Sequence, residues 1–98
     1  MTRAAVAAHA RPRLSPQVQL RFDRHAQQYM LLLPERGLSL NASAAEIARL
    51  CTGEHTLAEI VTRLADTHPG VAPEQLARDV HAFVEALAAR ALIRFEAP

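Results

Sequence analysis

Hydrophobic and polar residues alternate in the first part of the chain in a pattern that is typical of β-strands. In the segment Gln17–Asp23, the residues Val18, Leu20 and Phe22 fall on one side and polar residues fall on the other. This alternation predicts a half-buried strand. The continuous apolar run Tyr29–Leu33 predicts a central strand that is covered on both faces, although a run of this length also fits a buried turn of helix.

A third and shorter alternation follows the turn-forming residues 34–37. Leu38 and Leu40 share one face of the extended segment Leu38–Asn41, while its polar residues share the other. The three segments together predict a three-stranded antiparallel meander. In a simple meander of this kind the third strand lies at an edge of the sheet.

Helical spacing of apolar residues dominates the second half of the chain and predicts three helices. Two of them are expected to begin at capping boxes, Ser43–Glu46 and Thr56–Glu59, in which a hydroxyl and a glutamate satisfy each other's main-chain amides. The first helix is expected to end near Cys51 and the second near His68, and Pro73 suits the first turn of the third. The residues expected to face the core are Ile47, Leu50, Cys51, Leu57, Ile60, Val61, Leu64, Leu76, Val80, Phe83, Val84, Leu87 and Ala91.

Strands followed by helices indicate an α+β fold. The size suits a winged-helix-like domain, with a three-stranded antiparallel sheet followed by three α-helices. We expect residues 1–14, which are rich in alanine and arginine and show no period, to be a flexible N-terminal tail. Residues 15–98 are expected to form one domain, which ends in a short extended segment at Leu92–Phe95.

Composition narrows the functional classes. The chain has 98 residues and a formal net charge of +1, which by itself does not indicate a nucleic-acid partner. No apolar run approaches the ~20 residues that a membrane span requires, and no secretory signal is visible. We therefore expect a cytoplasmic protein without a membrane partner. Cys51 is the only cysteine, which excludes an intramolecular disulfide.

Cys51 and His55, with Glu54 beside them, could be drawn as a nucleophile and its base. Nothing else in the sequence supports that arrangement, and the chain is small for an active-site cavity. Two candidate ligands are also too few for a structural zinc site. The sequence therefore predicts no catalytic residue, no metal site and no cofactor, and the protein is not expected to be an enzyme.

A winged-helix nucleic-acid-binding module is the alternative function, because the second and third predicted helices could form a helix-turn-helix. A recognition helix offers basic and amide side chains to phosphates and base edges. The third helix instead carries Glu74, Asp79 and Glu85 with Arg78 on its polar side. This charge distribution would repel phosphate.

The predicted edge strand at Leu38–Asn41 suggests a different function. An edge leaves main-chain donors and acceptors unpaired, and another extended chain can add to it. The broad apolar face of the last helix could then form the floor of a groove. Most edge strands are simply short and solvated, and a free edge can also pair with a second copy, so a homodimer is a further expectation.

The segment Leu31–Gly53, followed by Thr56–Ile60, closely resembles the PqqD family of pyrroloquinoline quinone (PQQ) biosynthesis. The most specific part of the resemblance consists of Pro34-Glu35, the run Leu40–Ile47, and the spacing from Gly53 to the second predicted capping box. The resemblance extends over nearly all of the chain beyond the predicted tail.

This resemblance implies a non-enzymatic peptide chaperone, a recognition element for ribosomally made precursor peptides. The PQQ precursor peptide would bind as an added strand beside the third strand and over the last helix. It would then be presented to a radical S-adenosylmethionine (SAM) enzyme that links a Glu and a Tyr side chain, and the metal chemistry would belong to that partner. The implied peptide-binding residues are Leu38, Ser39, Leu40, Asn41, Val80, Phe83, Val84 and Leu87.

Overall fold

The protein is described by a computed structural model that covers residues 8–96. Its elements, in chain order, are β1 Arg11–Leu14, β2 Gln19–Asp23, β3 Gln28–Leu32, β4 Gly37–Leu40, α1 Ala42–Leu50, α2 Leu57–Thr67, α3 Pro73–Ala89 and β5 Ile93–Glu96. The predicted α+β order, a strand meander followed by three helices, is confirmed. The expected extended segment after the last helix is also present, as β5.

Strands β2, β3 and β4 form an antiparallel sheet with β3 in the middle. Leu31 at the centre of β3 lies opposite Leu20 on one neighbour and Leu38 on the other, and its side chain is fully buried. The two-residue alternation puts these leucines on one face, and β3 and β4 both pack against α1. The opposite face of β3 is less covered than predicted, because Met30 and Leu32 remain partly exposed.

Phe22 is a second departure from the predicted pattern. It was expected to face the core with Leu20, but 48% of its surface is exposed. It lies opposite Tyr29, and the two rings meet edge to face with centroids 5.1 Å apart. Because β2 is an outer strand, its apolar alternation is only partly covered by the rest of the fold.

The prediction of a flexible tail through Leu14 is wrong for its last residues. Arg11–Leu14 form β1, which pairs antiparallel with β5 so that Leu14 lies opposite Ile93. Pro12 is fully buried, and its carbonyl accepts a hydrogen bond from the amide of Gly53 at 2.9 Å. Residues 1–7 of the predicted tail lie outside the part of the chain that the structure describes.

The residues just before β1 also complete the start of α2. The first amides of a helix lack partners within it. Here the amide of Leu57 donates to the carbonyl of Ala10 at 2.9 Å, and that of Ala58 donates to Ala8 at 3.0 Å. The predicted capping box is confirmed, since the hydroxyl of Thr56 and the carboxylate of Glu59 each accept the other's main-chain amide. The hydrogen bond from the Thr56 amide lowers the pKa of Glu59.

The predicted capping box at Ser43–Glu46 is wrong. Helix α1 begins at Ala42, directly after its cap residue Asn41, whose side chain accepts the amide of Ala44 at 2.8 Å. Ser43 therefore lies inside the first turn and is exposed. Glu46 instead places a carboxylate oxygen 2.6 Å from Nε2 of His68, which caps the end of α2.

Helix α3 ends at Ala89 in a reversal of the chain that the sequence did not reveal. The amides of Leu92 and Ala91 donate back to the carbonyls of Leu87 and Ala88, which is the Schellman arrangement. Ala91, predicted to face the core, instead lies beyond the helix with a positive φ of 61° and is exposed. These bonds satisfy the carbonyls of Leu87 and Ala88 in the last turn of the helix.

Candidate functional site

Strand β4 is an edge of the three-stranded sheet. It pairs with β3 on one side, and within residues 8–96 no strand pairs with its other side. Its residues alternate in exposure: Gly37 and Ser39 are exposed, Leu38 is half-buried and Leu40 is buried. This alternation follows from the sheet geometry, in which the leucines point towards the helices.

The hydrogen bond at the β3–β4 turn fixes which main-chain groups of β4 face outward. The amide of Leu33 donates to the carbonyl of Arg36 at 2.8 Å, which makes these two residues a hydrogen-bonded pair. Such pairs alternate with non-bonded pairs along an antiparallel ladder. Counting from this bond along the observed register, Leu38 and Leu40 point their amides and carbonyls towards β3.

Gly37 and Ser39 belong to the non-bonded pairs, so their amides and carbonyls point away from β3. An independent contact agrees with this phase, because the Leu40 carbonyl also accepts a hydrogen bond from the Gln28 side chain at 3.3 Å. Of the residues that the family resemblance implied, Ser39 therefore carries the outward-facing main-chain groups. Gly37 was missed, although counting back from a two-residue turn at Pro34-Glu35 would have found it.

Asn41, the fourth implied residue of this segment, has a different role. Its side chain caps α1, and its carbonyl accepts the amide of Ala45 at 2.9 Å. The main chain thus turns from the sheet into the helix at this residue. Within the described chain, the row of outward-facing groups on β4 is limited to Gly37 and Ser39.

The implied residues of α3 are mostly committed to the core. Val80 and Val84 have no exposed surface, and Leu87 is 7% exposed. Only Phe83 keeps part of its side chain at the surface while it packs against the core. That Val80, Val84 and Leu87 offer their side chains to a peptide stays a prediction, and in this structure the three side chains are buried. Apolar spacing identified the buried face of the helix but not what covers it.

A cavity of about 360 Å³ lies where the β3–β4 turn meets the end of α3. Its walls are formed by Leu33, Pro34, Glu35, Arg36, Arg90 and Leu92. The cavity lies at the same end of β4 as Gly37. The turn that leads into the free edge and the end of the last helix are therefore neighbours.

The chemistry considered for Cys51 is not supported by its surroundings. Cys51 is 3% exposed, and its thiol lies 3.3 Å from the carbonyl of Ile47, to which it donates. Burial raises the pKa of the Cys51 thiol to about 12. A thiol in this environment stays protonated at neutral pH and is a poor nucleophile.

We expect Cys51 to react with a thiol reagent such as dithionitrobenzoate only when the fold opens. Both its burial and its raised pKa of about 12 suppress the reactive thiolate. Labelling of the native protein at pH 7.5 should be at least ~100-fold slower than labelling in guanidinium chloride, as expected when opening is rare. A native rate equal to that of a free cysteine would contradict the buried position.

Residues 8–96 offer neither a metal-binding cluster nor a membrane-spanning helix. They contain no group of three or more His, Cys, Asp or Glu residues arranged to hold a metal ion. None of the helices in this range has the length and apolar character needed to cross a membrane.

The fold and the edge together define a class of protein: a small winged-helix-like domain with an unpaired strand that can accept an extended chain. Within that class, the chain belongs to the PqqD family. The family model described as "Coenzyme PQQ synthesis protein D (PqqD)" matches residues 28–93.

Individual relatives agree with this assignment. A "PqqA binding protein" of Rhodopseudomonas palustris (strain TIE-1) is 36% identical over 86 residues, which are 88% of this chain and 83% of that protein. A "PqqA binding protein" of Methylococcus capsulatus is 41% identical over 51 residues, which are 52% of this chain and 55% of that protein.

A solved structure is similar over almost the whole chain. It is the solution structure of the PqqD part of Methylobacterium extorquens PqqCD, described as a functional, stand-alone recognition element for ribosomally synthesised and post-translationally modified peptides. It matches with a TM-score of 0.77 and 28% identity, covering 96% of this chain and 99% of the other. The winged-helix-like fold is therefore shared with a recognition element.

Proposed function

We propose that this protein is a peptide chaperone of PQQ biosynthesis that binds the precursor peptide PqqA by strand addition to β4. The observation that carries this proposal is the pair of outward-facing, exposed residues Gly37 and Ser39 on an edge strand. Their amides and carbonyls are the groups that a guest strand would need. The family and the relatives that bind PqqA supply the identity of the guest.

Side-chain contacts in this proposal come from partly exposed apolar residues of β4 and α3. Leu38 and Phe83 are half-buried, and both pack against the core with part of their surface accessible. A guest side chain that reaches over the edge would meet such surfaces without any core residue having to move. The main chain of β4 supplies the hydrogen bonds, and these side chains supply apolar contact area.

The role we propose is that of an adaptor and not of an enzyme. The bound precursor would be presented in the cytoplasm to a radical SAM enzyme, as the family resemblance implies, and the Glu–Tyr cross-link would be made there. The buried and protonated Cys51 is not available as a nucleophile, which is in keeping with this role. Leaving one flank of the guest strand uncovered would let a second protein reach the bound peptide.

The alternative function, nucleic-acid binding, finds no comparable support. The exposed side of α3 carries Glu74 and Asp79, and its Arg78 donates a hydrogen bond to Gln75 at 2.8 Å. Gln75 in turn donates to the carboxylate of Asp79 at 2.8 Å. These side chains thus bind one another along a face that offers little positive charge to phosphate.

The proposal is tested by titrating isotope-labelled protein with synthetic PqqA peptide and following backbone amide signals. The amide signals of Gly37 and Ser39 should shift most, because these amides gain hydrogen bonds. The amide signal of Phe83 should shift by a smaller amount. Signals on the β1–β5 sheet should stay still, which makes Arg94 and Glu96 internal controls. An unchanged spectrum at millimolar peptide would overturn the proposed function.

A further inference from the structure

Two arginines line the cavity at the end of the free edge, and the rest of the fold does not use their charge. Arg36 belongs to the β3–β4 turn and Arg90 is the C-cap residue of α3. Both side chains are exposed. Within residues 8–96 neither guanidinium has a hydrogen-bond or ion-pair partner. Guanidinium groups without a protein partner are available to a ligand, which must offset the rotamer entropy that is lost when they are fixed.

Arg90 holds a position where a cation often binds the last carbonyls of a helix. Main-chain amides already fill part of that role here, because the Schellman bonds satisfy the carbonyls of Leu87 and Ala88. Just beyond the helix, the hydroxyl of the buried Ser15 donates to the carbonyl of Ala91 at 2.8 Å. Within residues 8–96 the guanidinium of Arg90 binds none of these carbonyls, so it can serve the cavity.

The position of the cavity relates it to a guest strand. Arg36 directly precedes Gly37, the first residue of β4 with outward-facing main-chain groups. An extended guest advances about 3.3 Å per residue. A guest paired along Gly37 and Ser39 would thus pass the cavity within one or two residues of the Gly37 end.

Three charged side chains line this cavity, namely Arg36, Arg90 and Glu35. The net charge of these three side chains is positive, which favours an anionic group. The forked guanidinium also matches a carboxylate in shape. We propose that Arg36 and Arg90 form a subsite for one Asp or Glu side chain of the guest peptide. This inference rests on the proposed function, since the guest strand brings the carboxylate to the subsite.

Glu35 weakens the binding of an acidic guest residue at this subsite, and this effect can be tested. Its carboxylate lies in the same lining and repels an acidic guest residue. The substitution Glu35→Gln should therefore raise the affinity for PqqA by about twofold, as removal of one exposed like charge predicts. A guest residue that carried a positive charge would instead lose affinity with this variant.

The decisive experiment measures binding of a peptide series by calorimetry. The series consists of PqqA and its variants in which each Asp or Glu is replaced singly by Asn or Gln. The double variant Arg36→Gln, Arg90→Gln should bind PqqA roughly five- to tenfold more weakly than the parent protein, as for two exposed ion pairs. One of the peptide substitutions should lower the affinity for the parent protein by a similar factor. The same substitution should not lower the affinity for the double variant any further.

Controls separate this subsite from a general effect of charge. Arg94→Gln removes the same charge from an exposed position on β5, and it should leave the affinity unchanged. Circular dichroism checks that each variant is folded. If the double variant binds like the parent, or if no acidic peptide position couples to it, the subsite is wrong while the proposed function stands. If the parent does not bind PqqA at all, the proposed function fails with it.

Discussion

A chain that begins at Ser15 should be severely destabilised relative to the full-length protein. The deletion removes β1, the buried Pro12 and the carbonyls of Ala8 and Ala10 that complete the start of α2. Each lost hydrogen bond costs ~0.5–1.5 kcal/mol, so the total loss is at least about 3 kcal/mol. A domain of this size has a free energy of unfolding of only ~5–15 kcal/mol. Urea unfolding followed by circular dichroism should show a midpoint lower by roughly 2 M.

The matched control is a deletion of residues 1–7. It leaves β1 and the hydrogen bonds of Ala8 and Ala10 in place, so its midpoint should lie well above that of the chain that begins at Ser15. If the chain that begins at Ser15 unfolds at the same urea concentration as the full-length protein, the pairing of β1 with β5 contributes nothing to stability. The predicted domain boundary at residue 15 would then be right after all.

The comparison of sequence with structure shows why this boundary was missed. Periodicity is a local signal, and it correctly identified the strand meander, the capping box at Thr56 and the start of α3 at Pro73. Strand β1 has four residues, one of them proline, and its partner Ile93–Glu96 lies at the opposite end of the chain. A pairing of such short and distant segments leaves no local pattern to detect.

The choice between Asn41 and Ser43 as the cap of α1 shows a related limit. Both residues are good caps, and the glutamate at Glu46 favoured Ser43 by the sequence rule. The structure uses Asn41, which sits directly at the end of β4, and Glu46 is drawn to His68 across the fold. The contact of Glu46 with His68, which is distant in sequence, thus favours Asn41 over Ser43 as the cap of α1.

The candidate site was predictable in its position but only partly in its residues. The edge strand followed from strand order, and the outward phase of Ser39 needed one observed hydrogen bond, from Leu33 to Arg36. Helical spacing cannot distinguish a groove from a core, and the structure buries Val80 and Val84 in the core. The arginines of the adjoining cavity were missed since they are distant in sequence and meet only in the fold.

Replacing a residue on β4 by proline should destabilise the protein at one position and have little effect on stability at the next. Proline removes an amide donor, and within a sheet it is tolerated where that amide faces outward. The amide of Leu38 faces β3, so Leu38→Pro should lower the free energy of unfolding by ~3 kcal/mol. The amide of Ser39 faces outward, so Ser39→Pro should leave stability within about 1 kcal/mol of the parent.

Ser39→Pro should lower the affinity for PqqA at least ~10-fold, because it removes a hydrogen bond to the guest and places a ring in the path of the guest's main chain. Calorimetric titration of the folded variant measures this loss. Ser39→Ala changes the side chain but keeps the amide, so it should bind like the parent. Strand β2, the other edge of the sheet, provides a control. The same alternation points the amide of Phe22 outward, so Phe22→Pro should leave peptide binding intact. If Ser39→Pro binds normally while Phe22→Pro does not, the guest pairs with β2, and the arginines beside Gly37 lose their connection to it.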